Sequence, residues 1–146
     1  MNTSIWVHRP LLQDLNAATK NTLMAHLNIT YIDVGDSYLT ARMTIHDTHR
    51  QPMGIMHGGA TAALAESVAS TAANYCIDRT SKICVGVELN INHLKAVKEG
   101  HVDAIALPLH LGKSTQVWEI KISNNKGVLV SAGRLTLSVM NLSSDS

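Results

Sequence analysis

The chain has 146 residues, 45% of them apolar and 16% charged, with a formal charge of +1. That length allows a domain with a real core, and the near-neutral charge gives no reason to expect a nucleic-acid partner. With two Trp, three Tyr and no Phe, it also offers few platforms for stacking single-stranded bases.

Pro10 to about Leu27 reads as a first helix. Leu11, Leu12, Leu15, Ala18, Leu23 and Met24 recur near helical spacing, and Pro10 suits a first-turn position. Tyr31 to Val34 and Tyr38 to Ile45 read as strands around the turn signal Gly35-Asp36. In the second, Leu39, Ala41, Met43 and Ile45 alternate with polar residues, the period of a half-buried strand. His46 to Met56 is a loop broken by Pro52 and Gly54.

Gly58 to about Ile77 reads as a longer helix, Ala-rich and apolar or small on all sides, which predicts burial. Ile83 to Leu94 reads as a strand with Val85, Val87, Leu89 and Ile91 on the face that covers the helix. His93 continues that alternation. Three further strands are expected at about His101 to Leu111, Thr115 to Ser123 and Val128 to Met140, with residues 141–146 as a frayed tail. Consecutive strands joined by short turns indicate antiparallel pairing and an α+β class. The economical picture is a curved antiparallel sheet wrapped around one long helix. Neither a repeat nor a linker interrupts the chain, so one domain, 1–146, is expected.

Cys76 and Cys84 lack the C-x-x-C spacing of redox or zinc motifs. The first residues, MNTSIWVHRPLLQDL, lack the basic-then-apolar order of a signal peptide. No apolar run approaches the roughly 20 residues that span a bilayer. A cytoplasmic protein with reduced thiols and no membrane partner is the expectation.

The stretch QPMGIMHGGATAALAESVAS, Gln51 to Ser70, carries the chemistry. Gly58 and Gly59 open the long helix, where backbone N–H groups have no intrahelical partner and suit a carbonyl that becomes an oxyanion. Glu66 follows two turns later, and Ser70 lies at i+4 from it, able to hold a water. Carboxylate, hydroxyl and oxyanion donors are the parts needed to hydrolyse an acyl bond. Burial of such a carboxylate would raise its pKa by desolvation. The bland alternative puts Glu66 on a solvated stripe and makes the HGG a tight turn.

Gly58 and Glu66 are eight residues apart, about 12 Å along one helix axis. If both act on one bond, they should come from two subunits, which predicts a dimer with two equivalent composite sites. Met53, Ile55 and Met56 could line an acyl pocket, where methionine adapts to shape, or simply pack in the core. His93 on an apolar face fits a satisfied core histidine or a site-lining group. His46, His49 and His57 share a loop, but no recognised zinc spacing accompanies them, so no metal is expected. LGKST, Leu111 to Thr115, lacks the rest of a P-loop and precedes a strand; a hairpin turn is the better reading.

QPMGIMHGGATAALAESVAS, VGVELNINHLKAVKEG and LPLHLGKSTQVWEIKI occur in this order. Together they make the chain resemble the hotdog-fold acyl-CoA thioesterases, in the branch of dihydroxynaphthoyl-CoA hydrolase, the enterobactin-pathway proofreading thioesterase and hydroxybenzoyl-CoA thioesterase. The likeness covers nearly the whole chain. It implies the hotdog fold, an acyl-CoA substrate (aromatic in the closest relatives), no cofactor beyond the CoA of the substrate, and a homo-oligomer, a dimer paired into a homotetramer. It implies Glu66 as nucleophile or general base, and the Gly58 N–H of the opposite subunit as the group that polarises the carbonyl. Gln51 and His57 would position that carbonyl and the loop, and Ser70 would orient the hydrolytic water. His93 would lie near the acyl group, with Ser114 and Thr115 at the CoA phosphates. Two other functions stay open: a hotdog dehydratase or hydratase, whose H-F-P-x-x-P-x-x-P-G or D-x-N-x-x-H runs are absent, and a non-catalytic acyl-CoA binding module.

Overall fold

The computed structural model describes residues 3–143. The chain runs α1 (Leu12–Ala18), α2 (Leu23–His26), β1 (Ile29–Val34), β2 (Leu39–Thr44), a short 3-10 turn (Asp47–His49) and α3 (Gly58–Tyr75). Four strands follow: β3 (Lys82–His93), β4 (His101–Leu111), β5 (Thr115–Asn124) and β6 (Leu129–Asn141). All six strands form one antiparallel sheet in the order β1-β2-β4-β5-β6-β3. This is the expected α+β hotdog arrangement.

The core lies between the sheet and α3. Leu39, Ala41 and Met43 of β2, Val102, Ala104 and Ala106 of β4, and Trp118, Ile120 and Ile122 of β5 are fully buried. They meet Leu64, Ala65, Val68, Ala69, Ala72 and Ala73 of α3, equally buried. Alternation with period two sends alternate strand residues inward, and alanines let the sheet approach the helix backbone. At the helix end, Gln116 Nε2 donates to the Ala73 carbonyl at 3.4 Å and its Oε1 accepts from Trp118 Nε1 at 2.9 Å, so a buried amide and indole satisfy each other.

The sheet curls until its edge strands reach the same side of α3. Tyr31 of β1 bonds the Thr71 hydroxyl at 2.6 Å, and Asn74 bonds Cys84 of β3. Between these contacts runs a half-buried stripe at helical spacing: Ala63, Glu66, Ser67, Ser70, Thr71 and Asn74. The expected all-round burial of the helix is therefore corrected to one buried face and one half-open face in the single chain.

Three other expectations change. The first helix is two pieces. At the break, the Thr19 and Thr22 hydroxyls donate to the carbonyls of Asn16 and Thr19, at 2.9 and 2.5 Å, and Asn21 takes a left-handed φ of 61°. Such side chains compete with helical bonding, and Leu11 and Leu23 end exposed. Pro10 precedes the helix rather than starting it.

Second, Val85 and Val87 point away from α3 and are 43% and 63% exposed. The register with β6 advances one residue from Leu137 to Thr136 while β3 advances two, from Gly86 to Glu88. Val87 is the extra residue of a β-bulge, which reverses the phase of the strand. Third, the strand continues to Asn141, while residues 144–146 of the expected tail lie outside the described residues. Among the described residues no helix is long and apolar enough to cross a membrane.

Candidate active site

The N-terminus of α3 is built by the loop before it. His57 is the N-cap, and its Nδ1 accepts from the Gly59 N–H at 2.7 Å. Its own N–H donates to the His49 carbonyl at 2.7 Å. The His49 ring is buried; Nδ1 accepts from the His46 N–H at 3.0 Å, so Nε2 carries the hydrogen and donates to the Leu27 carbonyl at 2.6 Å. These bonds fix the loop to the start of the helix. The Gly58 N–H finds no acceptor among the described residues, as a first-turn donor would not.

Gln51 closes a turn: its N–H donates to the Ile55 carbonyl and its carbonyl accepts from the Gly54 N–H, both at 2.9 Å. Gly54 at φ +81° permits that turn. The Gln51 side-chain oxygen accepts from the Met53 N–H, which fixes the carboxamide. A cavity of about 270 Å³ opens beside this loop. Gln51, Gly58, Thr61, His93 and Ser131 give it polar groups, and Ile55 and Met56 give it apolar wall. His93 Nδ1 lies 3.4 Å from the Ser131 hydroxyl. Its Nε2 would stand 2.9 Å from a Cβ added at Gly58, so the ring covers the helix start only because residue 58 has no side chain. The hydroxyl of Thr61 is buried with no hydrogen-bond partner among the described residues.

Glu66 is elsewhere. Its carboxylate reaches β3, where Oε1 would lie 2.5 Å from a Cβ added at Gly86. Ser70, one turn on, lines a second cavity of about 270 Å³ with Tyr31, Thr71, Asn74 and Tyr75. In that wall burial pushes the Tyr31 phenol up to about 12, partly offset by its bond to Thr71. Asn74 ties the helix to β3: its Oδ1 accepts from the Cys84 N–H at 2.9 Å, and its Nδ2 donates to the Cys84 carbonyl at 3.1 Å and to the Ser70 carbonyl at 2.9 Å.

One chain thus brings together Gln51, Met56, Gly58 and His93, with His57 as the cap beneath them. It holds Glu66 and Ser70 apart from that group. Met53 is 83% exposed and does not line the cavity. Ser114 and Thr115 form the β4–β5 hairpin, where the Ser114 carbonyl accepts from the Val139 N–H and the Thr115 carbonyl from the Gly112 N–H, both at 2.9 Å. Neither lines the two cavities. Asn74, Thr61 and Ser131 escaped the sequence reading, and Gly86, which strict alternation with Val85 would turn away from the helix, faces Glu66 of α3 instead. Gly86 alone left a signal, a glycine in a strand, which marks a close approach.

A family model described as the thioesterase superfamily matches residues 53–131. The 1,4-dihydroxy-2-naphthoyl-CoA hydrolase of Escherichia coli is 39% identical over 136 residues, 93% of this chain and 99% of its own. A thioesterase of Pseudomonas aeruginosa, solved as a glutamine-to-alanine mutant, is 40% identical with a TM-score of 0.94, covering 95% of this chain and 100% of that one. A thioesterase of Staphylococcus aureus, also solved with a glutamine replaced by alanine, is 37% identical with a TM-score of 0.77 and covers 80% of this chain and 97% of that one. The Staphylococcus protein has been solved a second time with a glutamate replaced by alanine, fifteen positions after that glutamine. A matched family model over more than half the chain, near-full-length relatives and the same sheet around the same helix agree: this chain belongs to the thioesterase superfamily and is a hotdog-fold thioesterase.

Proposed function

We propose that this thioesterase, one domain over residues 1–146, hydrolyses an aromatic acyl-CoA such as 1,4-dihydroxy-2-naphthoyl-CoA or a hydroxybenzoyl-CoA to CoA and the carboxylic acid. Each site takes Glu66 and Ser70 from one chain and Gly58 of the partner subunit. The observation that carries the reading is the separation along α3: Gly58 shares a cavity with Gln51 and His93, while Glu66 lies about 12 Å further along the helix axis, against β3. The choice of substrate is supported by the Escherichia coli relative, which is named for 1,4-dihydroxy-2-naphthoyl-CoA. The glutamine and glutamate replaced in the Staphylococcus structures share the spacing of Gln51 and Glu66.

The thioester carbonyl accepts from the partner's Gly58 N–H, which also meets the oxyanion that develops there. Glu66 acts in one of two ways. As nucleophile, its carboxylate adds to the carbonyl carbon, the CoA thiolate leaves and takes up a proton, and water then opens the anhydride. As general base, it takes a proton from a water held by Ser70, that water adds to the carbonyl carbon, and the tetrahedral intermediate collapses with loss of the CoA thiolate, which takes up the proton from Glu66. His93 and Met56 face the acyl group, while Ser114, Thr115 and Met53 serve at most the outer, CoA end. The 12-residue edge strand β3 is long enough to pair with its copy, which supports a dimer; two dimers form the tetramer.

Release of free CoA thiol tests the reading. Glu66→Ala and Glu66→Gln should lower kcat by about 10³-fold, with the dimer intact by light scattering. Mixed dimers of Glu66→Ala and Gln51→Ala chains hold one intact composite site and should regain activity that neither variant shows. Full activity in Glu66→Ala, or no recovery on mixing, would sink the reading. Acyl-CoA binding without thiol release would favour the dehydratase or the binding module.

A further inference from the structure

α3 and β3 meet at two functional points, one at the start of the helix and one midway along it. Glu66 lies against Gly86, and Gly58 lies against His93. Gly86 and His93 are seven residues apart, an odd number. In a regular strand they would face opposite sides of the sheet. Here both face α3, because the bulge at Val87 absorbs one residue: Gly86 pairs with the buried Leu137, and His93 pairs with the buried Ser131.

We propose that this bulge is a positioning device for the reaction, and that Gly86 is a positioning residue for the Glu66 carboxylate. The proposal rests on the catalytic role of Glu66 argued above. A Cβ at position 86 would stand 2.5 Å from Glu66 Oε1 and 3.5 Å from its carboxyl carbon. The next nearest atom is Leu135 Cδ1 at 3.4 Å, an ordinary contact. Gly86 is absent from the glycines with positive φ, Gly54, Gly100 and Gly127, so its backbone accepts an alanine. The added methyl would therefore displace one thing, the carboxylate, by about 1 Å. Displacement on that scale costs on the order of 10²-fold in rate. Asn74 holds Cys84, two residues before Gly86, to the helix, which keeps the strand backbone at this separation.

The test is Gly86→Ala beside Glu66→Asp, Glu66→Ala and the Gly86→Ala/Glu66→Asp double variant, assayed by thiol release on one acyl-CoA. Gly86→Ala should lower kcat about 10²-fold, leave KM within about threefold, and leave Tm within about 4 °C. Aspartate retracts the carboxylate by one methylene, so the two substitutions should couple: the double variant should lose at least tenfold less than the product of the single losses. A Gly86→Ala enzyme with wild-type kcat overturns the proposal. So does a large fall in Tm, which would locate the strain in the backbone, and so do losses that simply multiply. Glu66→Ala separates the two levels. If it stays active, the catalytic reading fails; if it is dead while Gly86→Ala is not, only the positioning role fails.

Discussion

Asn74→Ala removes the clamp between α3 and the edge strand β3. The wild-type amide makes three bonds, of 2.9, 3.1 and 2.9 Å, to the Cys84 N–H, the Cys84 carbonyl and the Ser70 carbonyl. Cys84 is buried and sits on the outermost strand, so its backbone groups use Asn74 where an inner strand would use a neighbour. Each neutral hydrogen bond contributes about 1 kcal/mol net, and each buried group left unpaired costs about 1–3 kcal/mol. The Ser70 carbonyl already belongs to the helix, and Asn74 itself is half-buried, so water reaches part of the gap. The expected loss is about 2–4 kcal/mol, or roughly 5–12 °C in Tm for a chain of this size. Urea unfolding with an unchanged m-value is the assay. Asn74→Asp keeps an acceptor for the Cys84 N–H but sets a carboxylate against two carbonyls, so it should cost at least as much as alanine. A loss under about 1 kcal/mol in both variants would refute the clamp.

Two predictions concern other parts of the molecule. Gly58→Ala sets a methyl 2.9 Å from His93 Nε2; it should lower kcat/KM by about 10²-fold while stability holds or rises by up to about 1 kcal/mol, and unchanged kcat/KM would show that His93 and Gly58 do not share the site. Burial raises the Tyr31 phenol from 10.0 to about 12, so the folded state holds its proton more tightly than the unfolded chain does. That stability is whole below about pH 10 and falls by about 2 kcal/mol as pH rises to about 12. The thiols of Cys76 and Cys84, pushed by burial to about 12 and about 11, act in the same direction from about pH 9. Tyr31→Phe should flatten the decline between pH 10 and 12, read as Tm against pH, and an unchanged slope would remove Tyr31 from the cause.

How much was legible depended on what each signal encodes. The helix α3 was legible as a long Ala-rich run without a breaker, and strands β4 to β6 as apolar-rich runs separated by short turns. The first helix was not. Its leucines keep helical spacing, but Thr19, Asn21 and Thr22 offer the backbone other partners, and spacing alone does not weigh them. The separation of Gly58 from Glu66 was legible, since helical rise is a fixed length. The facing of β3 was not, because Val85, Val87, Leu89 and Ile91 alternate without a break in the sequence. The extra residue shows only in the pairing with Leu137 and Thr136. Met53 looked like a pocket residue beside Met56, yet the Gly54 turn leaves it in solvent.

The two glycines that matter most work by what they leave out, and they do so reciprocally. On the helix, Gly58 clears space for a strand side chain, His93; on the strand, Gly86 clears space for a helix side chain, Glu66. A glycine in a regular element costs roughly 0.5–1 kcal/mol against alanine, and neither position needs a positive φ. Backbone geometry therefore gives no reason for glycine at either place. Contact gives one at both: the atom that would clash with a Cβ is, each time, the functional end of another side chain. Residues that hold the frame, such as Asn74, should lose stability first when replaced. Residues that hold space open, Gly58 and Gly86, should lose activity while stability stays level or rises. That opposition of sign is what separates a site shaped for chemistry from one that is merely well packed.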